Sequence, residues 1–329
     1  MLNSYAKWLN LTETIFIRKP CRLNEPDLRR FLASAPLEFQ SASAALKLTI
    51  PLPDGTNEIF SMLESPILSP EVAAKHPDIK TYTGTGSIHK NYSVRLSLTG
   101  SGFDAIILGI DGDAVYFTKA STDPADALYL TYFARDAKKP ETLKSVGTSN
   151  KCGNVAPPIS TSATDNNDKV ARRNNTCTVL RTFRLAVAAT GEFTAQKGAG
   201  NVTTAFNALV GYVNRMNAVY RVELSVAFTL VSDATIVYPN AATDPYTNAD
   251  QIKMLDENQA NLTSTVGTAN YDVGHVLGTA GGSGGGIAVT PSVCAATDKG
   301  KGGSGVGGGS FAAVFDDQLI SHEVATSSV

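Results

Sequence analysis

Between Arg181 and Leu277 the hydrophobic period switches repeatedly, and this alternation limits the possible folds more than any other feature of the chain. Arg181-Thr182-Phe183-Arg184-Leu185-Ala186-Val187-Ala188 alternates as a half-buried strand does. Residues 202 to 220 then run at helical period, with Val202, Phe206, Leu209, Val210, Val213 and Tyr220 on one stripe and Met216 beside it. Val222 to Val231 is rich in β-branched and aromatic residues and is expected to form a strand of about ten residues. A second helix is expected from about Asn248 to Thr265, with Ile252, Leu255, Gln259 and Leu262 facing inward. Tyr271 to Leu277 completes the series as a strand. Strand, helix, strand, helix, strand predicts a helix-covered sheet with parallel pairs.

The chain before this region reads differently. A short helix carries Leu28, Phe31 and Leu32, with Asn24 or Asp27 available as its cap. Leu46 to Ile50 and Val94 to Leu98 alternate with period two, and Ala105 to Ile110, Val115 to Phe117 and Tyr129 to Phe133 read as further strands. Residues 136 to 177 are dominated by Ser, Thr, Asn, Asp, Lys and Pro, a composition that buries too little surface to fold alone. The 329 residues suffice for two domains at about 150 residues each. The expected organisation is a β-rich α+β domain over 1–135, a linker over 136–177 and a second domain over 178–329. Arg172-Arg173 in the linker is an exposed-looking dibasic site where a protease could cut.

Hydrophobic residues at 43% with charged residues at 18% fit a globular chain, and a net charge of −2 without any dense basic run argues against a nucleic-acid partner. No stretch reaches the roughly 20 apolar residues of a membrane-spanning helix. Met1 to Leu11 contains Asn3, Ser4, Lys7 and Asn10, so no signal-peptide core is visible there. Cys21, Cys152, Cys177 and Cys294 are scattered, with no C-x-x-C pair.

Gly278 to Ser310 is glycine-dense, which on composition alone fits a flexible linker equally well. It carries no Gly-Lys-Ser/Thr ending of a phosphate loop. Within it Gly286-Ile287-Ala288-Val289 reads as a short edge strand, and a last helix is expected from about Asp316, with Leu319, Ile320 and Val324 apolar. That helix holds His322-Glu323. A bare His-Glu is also what a solvated helix end carries. Zinc peptidases use His-Glu-x-x-His because positions i and i+4 share one helical face, so two imidazoles grip one metal while the Glu acts on bound water. Here position i+4 is Thr326, so the site is incomplete.

The order of pieces nevertheless resembles the reprolysin-like (M12B-type) metzincins. Thr182 to Val187 followed by Gly191-Glu192-Phe193, then Tyr271 to His275, the glycine turn, Gly286 to Val289, Ser292-Val293-Cys294 and Phe315 to Glu323 carry the likeness over about 178–323. That family's zinc helix reads H-E-x-G-H-x-x-G-x-x-H. Leu52-Pro53-Asp54-Gly55, Glu64-Ser65-Pro66, Thr81-Tyr82 and Tyr132-Phe133 resemble the propeptide of bacterial members. The resemblance implies a mixed-sheet α/β catalytic domain, incomplete here, behind a β-rich propeptide. It implies a secreted zinc endopeptidase precursor acting on protein or peptide substrates. His322 would be the first zinc ligand and Glu323 the general base, and Gly286, Ile287 and Ala288 would pair with extended substrate. Cys152 would correspond to a propeptide cysteine switch, though it is equally an ordinary linker thiol. For Cys177 and Cys294 it implies structural disulfides. His275 is expected in a strand as a core or sheet-face residue, and His76 and His89 are expected to face solvent.

The tail departs from the family just after His322-Glu323-Val324. If the parent read H-E-V-G-H-Q-F-G, deleting one G from the glycine codon yields His-Glu-Val-Ala-Thr-Ser-Ser-Val, the sequence from His322 to Val329. The expectation is therefore a chain truncated within its zinc motif, with zinc binding incomplete and protease activity absent. A non-catalytic secreted binding or inhibitory module, or a glycine-rich structural protein with an incidental His-Glu, stays open on the residues alone.

Overall fold

A computed structural model of the chain describes residues 19–40, 45–120, 127–137, 153–155, 179–279, 285–289, 291–307 and 324. The first sheet has eight strands: β1 (Lys19–Arg22), β2 (Leu46–Pro51), β3 (Asn57–Glu64), β4 (Lys80–Gly86), β5 (Ser93–Thr99), β6 (Gly102–Ile110), β7 (Asp113–Lys119) and β8 (Leu128–Phe133). From β2 to β8 each strand is antiparallel to the next, and β1 pairs with β8. Helix α1 (Glu25–Leu32) begins at Asn24, whose side chain accepts from Asp27 N–H, as one of the two caps read from sequence. It lays Leu28 and Leu32 into a cluster with Phe60, Leu96, Ile107 and Phe117. A short helix α2 (Pro70–Lys75), not evident from periodicity, leaves the sheet after Ser69.

The second sheet contains β9 (Gly153–Val155), β10 (Arg181–Ala189), β11 (Val226–Leu230), β12 (Val273–Gly278), β13 (Gly285–Val289) and β14 (Gly302–Gly305), in the order β11-β10-β12-β14-β13-β9. The pairs β10–β11, β10–β12 and β12–β14 are parallel, whereas β13 runs antiparallel to β14. Helices α3 (Gly191–Gly198), α4 (Val202–Glu223) and α5 (Gln251–Thr265) make the connections. The predicted stripe of α4, from Phe206 through Leu209, Val210 and Val213 to Tyr220, is buried against Leu185, Val187 and Phe228.

Two expectations are corrected. The strand expected over Val222 to Val231 is only Val226–Leu230, because α4 continues through Glu223 and Ser225 turns the chain with φ 54°. Ile252 is 65% exposed rather than inward. The inner face of α5 is Met254, Leu255, Asn258, Asn261 and Leu262, its phase fixed by hydrogen bonds. Asn258 Nδ2 donates to Gly300 O at 2.6 Å, and Asn261 Nδ2 donates to Tyr246 Oη at 2.7 Å. An apolar periodicity search passes over asparagines that are buried because they are paired. The linker composition also supplies a strand, β9. Adding a strand to a sheet edge requires only backbone N–H and C=O groups, not an apolar composition.

The two sheets share contacts through α2 and α4. Lys75 Nζ lies 2.5 Å from Asp233 Oδ2 across this boundary. Burial works to raise the Asp233 carboxyl, but hydrogen bonds from Lys75 and Thr235 outweigh it and hold its pKa at about 2. A depressed carboxylate pKa contributes stability that is present above the unfolded value and lost as pH falls through the folded one. With Lys75 mostly exposed, the contribution is about 1 kcal/mol. Asp233→Asn is expected to remove that much at pH 7 and to flatten acid unfolding between about pH 4 and pH 2, as read by urea titrations across that range.

Among the described residues no helix is long and apolar enough to cross a membrane.

Candidate active site

The parallel strands β10, β12 and β14 deliver their carboxyl ends to one rim of the sheet, where ligands of open α/β sheets bind. Thr190 follows β10 there. Its N–H donates to Leu277 O at 2.9 Å, and its hydroxyl caps α3 by accepting from Phe193 N–H at 3.2 Å. Phe193, from the Gly191-Glu192-Phe193 piece, is fully buried in the core. Gly191 has to be glycine, because a Cβ at that position would lie 2.0 Å from Ala241 N.

Beyond β12, Asn248 fastens the chain at the start of the glycine-dense stretch. Its Oδ1 accepts from Thr279 N–H at 2.8 Å and its Nδ2 donates to Thr279 Oγ1 at 2.8 Å. Gln251, at the start of α5, donates from Nε2 to Gly285 O at 3.0 Å. Two α5-side amides therefore bracket the residues between β12 and β13. Sequence reading missed both, since a lone Asn or Gln near a helix start carries no signal for what it will hold.

Gly286, Ile287 and Ala288 all lie in β13 and are buried. On one side they face Ser304, Gly303 and Gly302 of β14. On the other, Ile287, Ala288 and Val289 are in parallel register with Gly153, Asn154 and Val155. The strand expected at the sheet edge is thus flanked on both sides, its outer side taken by another extended segment of the same chain. Ile287 and Val289 pack on Leu255.

His275, expected in a strand, is in β12 and 1% exposed. Its Nε2 lies 2.9 Å from Ser304 Oγ, and its Nδ1 has no hydrogen-bond partner. Gly302 allows this, because a Cβ there would stand 2.7 Å from Nδ1. Burial lowers the His275 pKa to about 3. His76, expected in solvent, is half-buried with its ring 4.6 Å from that of Phe206. His89 is half-exposed, with Nδ1 2.7 Å from Glu58 Oε2.

Cys294 is exposed, with φ 61°, and its N–H donates to Asp272 O at 2.9 Å. Among the described residues it forms no disulfide. Cys152, Cys177, His322, Glu323 and most of the helix expected from Asp316 lie outside the described residues. Val324 is described: it is helical, fully buried, and in the same cluster as Phe193, Leu277 and Val306.

Among the described residues there is no zinc site. The sequence has four histidines, and the three described ones sit on a Phe206 contact, a Glu58 pair and the sheet interior. No group of three His, Cys, Asp or Glu able to hold a metal occurs among the described residues.

A mixed sheet of four parallel strands with helical crossovers, bordered by two strands (β13 and β9) of opposite direction, defines the class: an α/β domain whose candidate ligand rim lies where β10, β12 and β14 end. Residues 178–326 match the model of the metallopeptidase family M12B, reprolysin-like. No curated protein matches the chain.

Proposed function

We propose that this chain is the precursor form of a secreted zinc-dependent endopeptidase and that, as it stands, it hydrolyses no peptide bonds. The observation that carries the reading is β13. It runs antiparallel to β14 beside the rim of the region matching the reprolysin-like family, and its outer side already holds an extended segment of polypeptide in parallel register, Gly153–Val155. Backbone pairing of that kind is what an endopeptidase needs to stretch a substrate. Gly286, Ile287 and Ala288 are the proposed substrate-pairing residues. Residues 1–135 are the proposed propeptide domain, 136–177 the segment that is cut, and 178–329 the catalytic domain. Cys152 directly precedes β9 and is the proposed propeptide switch thiol.

His322 is proposed as the first metal ligand and Glu323 as the general base of a complete motif. On a helix, positions two before and two after a residue share the opposite face, about 40° apart. Positions 322 and 326 would share one such face of the helix expected from about Asp316. Thr326 cannot serve as the second ligand, so no hydrolytic step follows from the residues of this chain.

The test is casein cleavage by the purified chain, with and without a chelator, beside a version whose end is restored to the H-E-V-G-H-Q-F-G frame. No turnover by the chain and zinc uptake by the restored version are expected. Chelator-sensitive turnover by the chain itself would overturn its proposed inactivity. A second reading, a non-catalytic secreted binding or inhibitory module, draws on the docking of the eight-stranded sheet against α4. It predicts that residues 1–175 capture a separate protease, and failure of that capture removes it.

A further inference from the structure

Helix α4 is buried on two sides, and only one of them was evident in the apolar stripe. Its second side is a row of small and polar residues at helical spacing, Asn207, Gly211, Asn214, Arg215 and Ala218, which meets the eight-stranded sheet. Asn214 Oδ1 accepts from Arg95 Nε at 2.9 Å, and Asn214 Nδ2 donates to Ser97 Oγ at 2.9 Å. Arg215 Nη1 lies 2.5 Å from Asp104 Oδ1, and Asn207 Nδ2 donates to Ser101 Oγ at 3.0 Å. Arg95 Nη2 continues the chain of bonds to Ser65 Oγ at 3.0 Å, Ser65 donates to Glu38 at 2.5 Å, and Glu38 pairs with Arg221 at 2.5 Å. Ala218 packs among Ile106, Tyr116, Leu130 and Tyr132.

A second attachment is apolar and backbone-mediated. Ile67, Leu68, Val72 and Ile79 belong to the core cluster of the C-terminal half, beside Leu185, Phe206 and Val210. Leu230 N–H donates to Ile67 O at 2.7 Å, and Ser69 N–H donates to Leu230 O at 2.9 Å, so this segment extends the second sheet beyond β11. The five strands β10 to β14 are thus flanked at both ends by segments from the first 155 residues, at β11 by 67–69 and at β13 by β9.

We propose that the N-terminal half is a tightly docked subunit that stays bound after the chain is cut at Arg172-Arg173, rather than a leader that falls away. Separation would strand Asn214 and Arg215, now 1% and 5% exposed, and leave the edge groups of Leu230 unpaired. It would also expose the core positions that Ile67, Leu68, Val72 and Ile79 cover. A cut at the dibasic site lies beyond Val155, so the docked fragment keeps β9 and the outer side of β13 stays covered. Exposing β13 then requires destruction of the N-terminal half or a cut before Gly153. The retention itself is independent of the peptidase reading.

The test places a single-site protease sequence over residues 165–171 of the full chain and cuts it to completion. One gel-filtration peak containing both fragments, persisting in about 1 M salt, is the expected result. Separate peaks, or precipitation of the C-terminal fragment alone, would overturn the proposal. Asp104→Lys, set against Arg215, is expected to speed dissociation of the cut halves at least tenfold with the circular dichroism of the uncut chain unchanged. An unchanged dissociation rate in that variant would contradict the assignment of the α4 surface as the joint.

Discussion

Taking the protein from pH 7 to pH 4.5 is expected to cost about 2.5 kcal/mol of folding stability through His275 alone. The imidazole is 1% exposed, and burial holds its pKa at about 3, against 6.5 in an open chain. Below pH 6.5 the unfolded chain takes up a proton that the folded one refuses, so the stability present above 6.5 drains as pH falls toward about 3. Each pH unit in that window is worth about 1.4 kcal/mol. The depressed carboxylates Asp233, Asp272 and Asp298 act only below their unfolded values near 3.8, which leaves the interval from 6.5 to 4.5 clear of them. His275→Gln keeps a hydrogen-bonding group for Ser304 but removes the titration. Urea unfolding at the two pH values is expected to show the variant losing about 2.5 kcal/mol less than the parent; equal losses would show that the folded imidazole accepts its proton normally.

The parallel part of the second sheet was legible because its signals are side-chain signals. Arg181 to Ala188 and Tyr271 to Leu277 alternate or run apolar, and α4 shows one stripe over 22 residues. Strand β14 was not legible, since Gly302-Gly303-Ser304-Gly305 has no β-branched or aromatic residue. It is a strand because glycines let β12 and β13 approach and leave room for His275. β4, with Lys80-Thr81-Tyr82-Thr83-Gly84-Thr85-Gly86, was missed as a strand for a similar reason. Gly84 sits where a Cβ would meet Met62 and Val94, so part of the inner face of β4 is formed by its neighbours' side chains. α2 spans only six residues, and α3 carries a single large apolar residue, Phe193, so neither gives periodicity enough to register.

The site was legible only in part. Gly286 to Val289 could be read as a strand from its own residues, whereas its two partners, a glycine strand and three linker residues, could not. Asn248 and Gln251 hold the chain between β12 and β13 through contacts made 31 and 34 residues away, which no local pattern encodes. The docking face of α4 was equally hidden. Asn207, Gly211, Asn214 and Ala218 lie off the apolar stripe, and their burial depends on Arg95, Ser97 and the rest of the first sheet being brought opposite them.

The second large effect is expected at Thr326. On the helix expected from about Asp316, substituting histidine there would place two imidazoles at i and i+4 on one face, with Glu323 between them in sequence. A single imidazole holds zinc weakly, and a second ligand on the same rigid face adds its bond without a second ordering cost. Zinc affinity is therefore expected to rise about 100-fold over the parent chain. Val324 itself is buried with Phe193 and Leu277, and the substitution two positions on is expected to leave folding intact by circular dichroism.

Zinc titration of the parent, Thr326→His, and Thr326→His combined with His322→Ala tests the central claim, that His322-Glu323 belongs to a reprolysin-type zinc helix. About one zinc per chain is expected, bound about 100-fold more tightly by Thr326→His than by the parent, with parental affinity once His322 is also removed. An affinity that fails to rise, or a rise that survives the loss of His322, would contradict it.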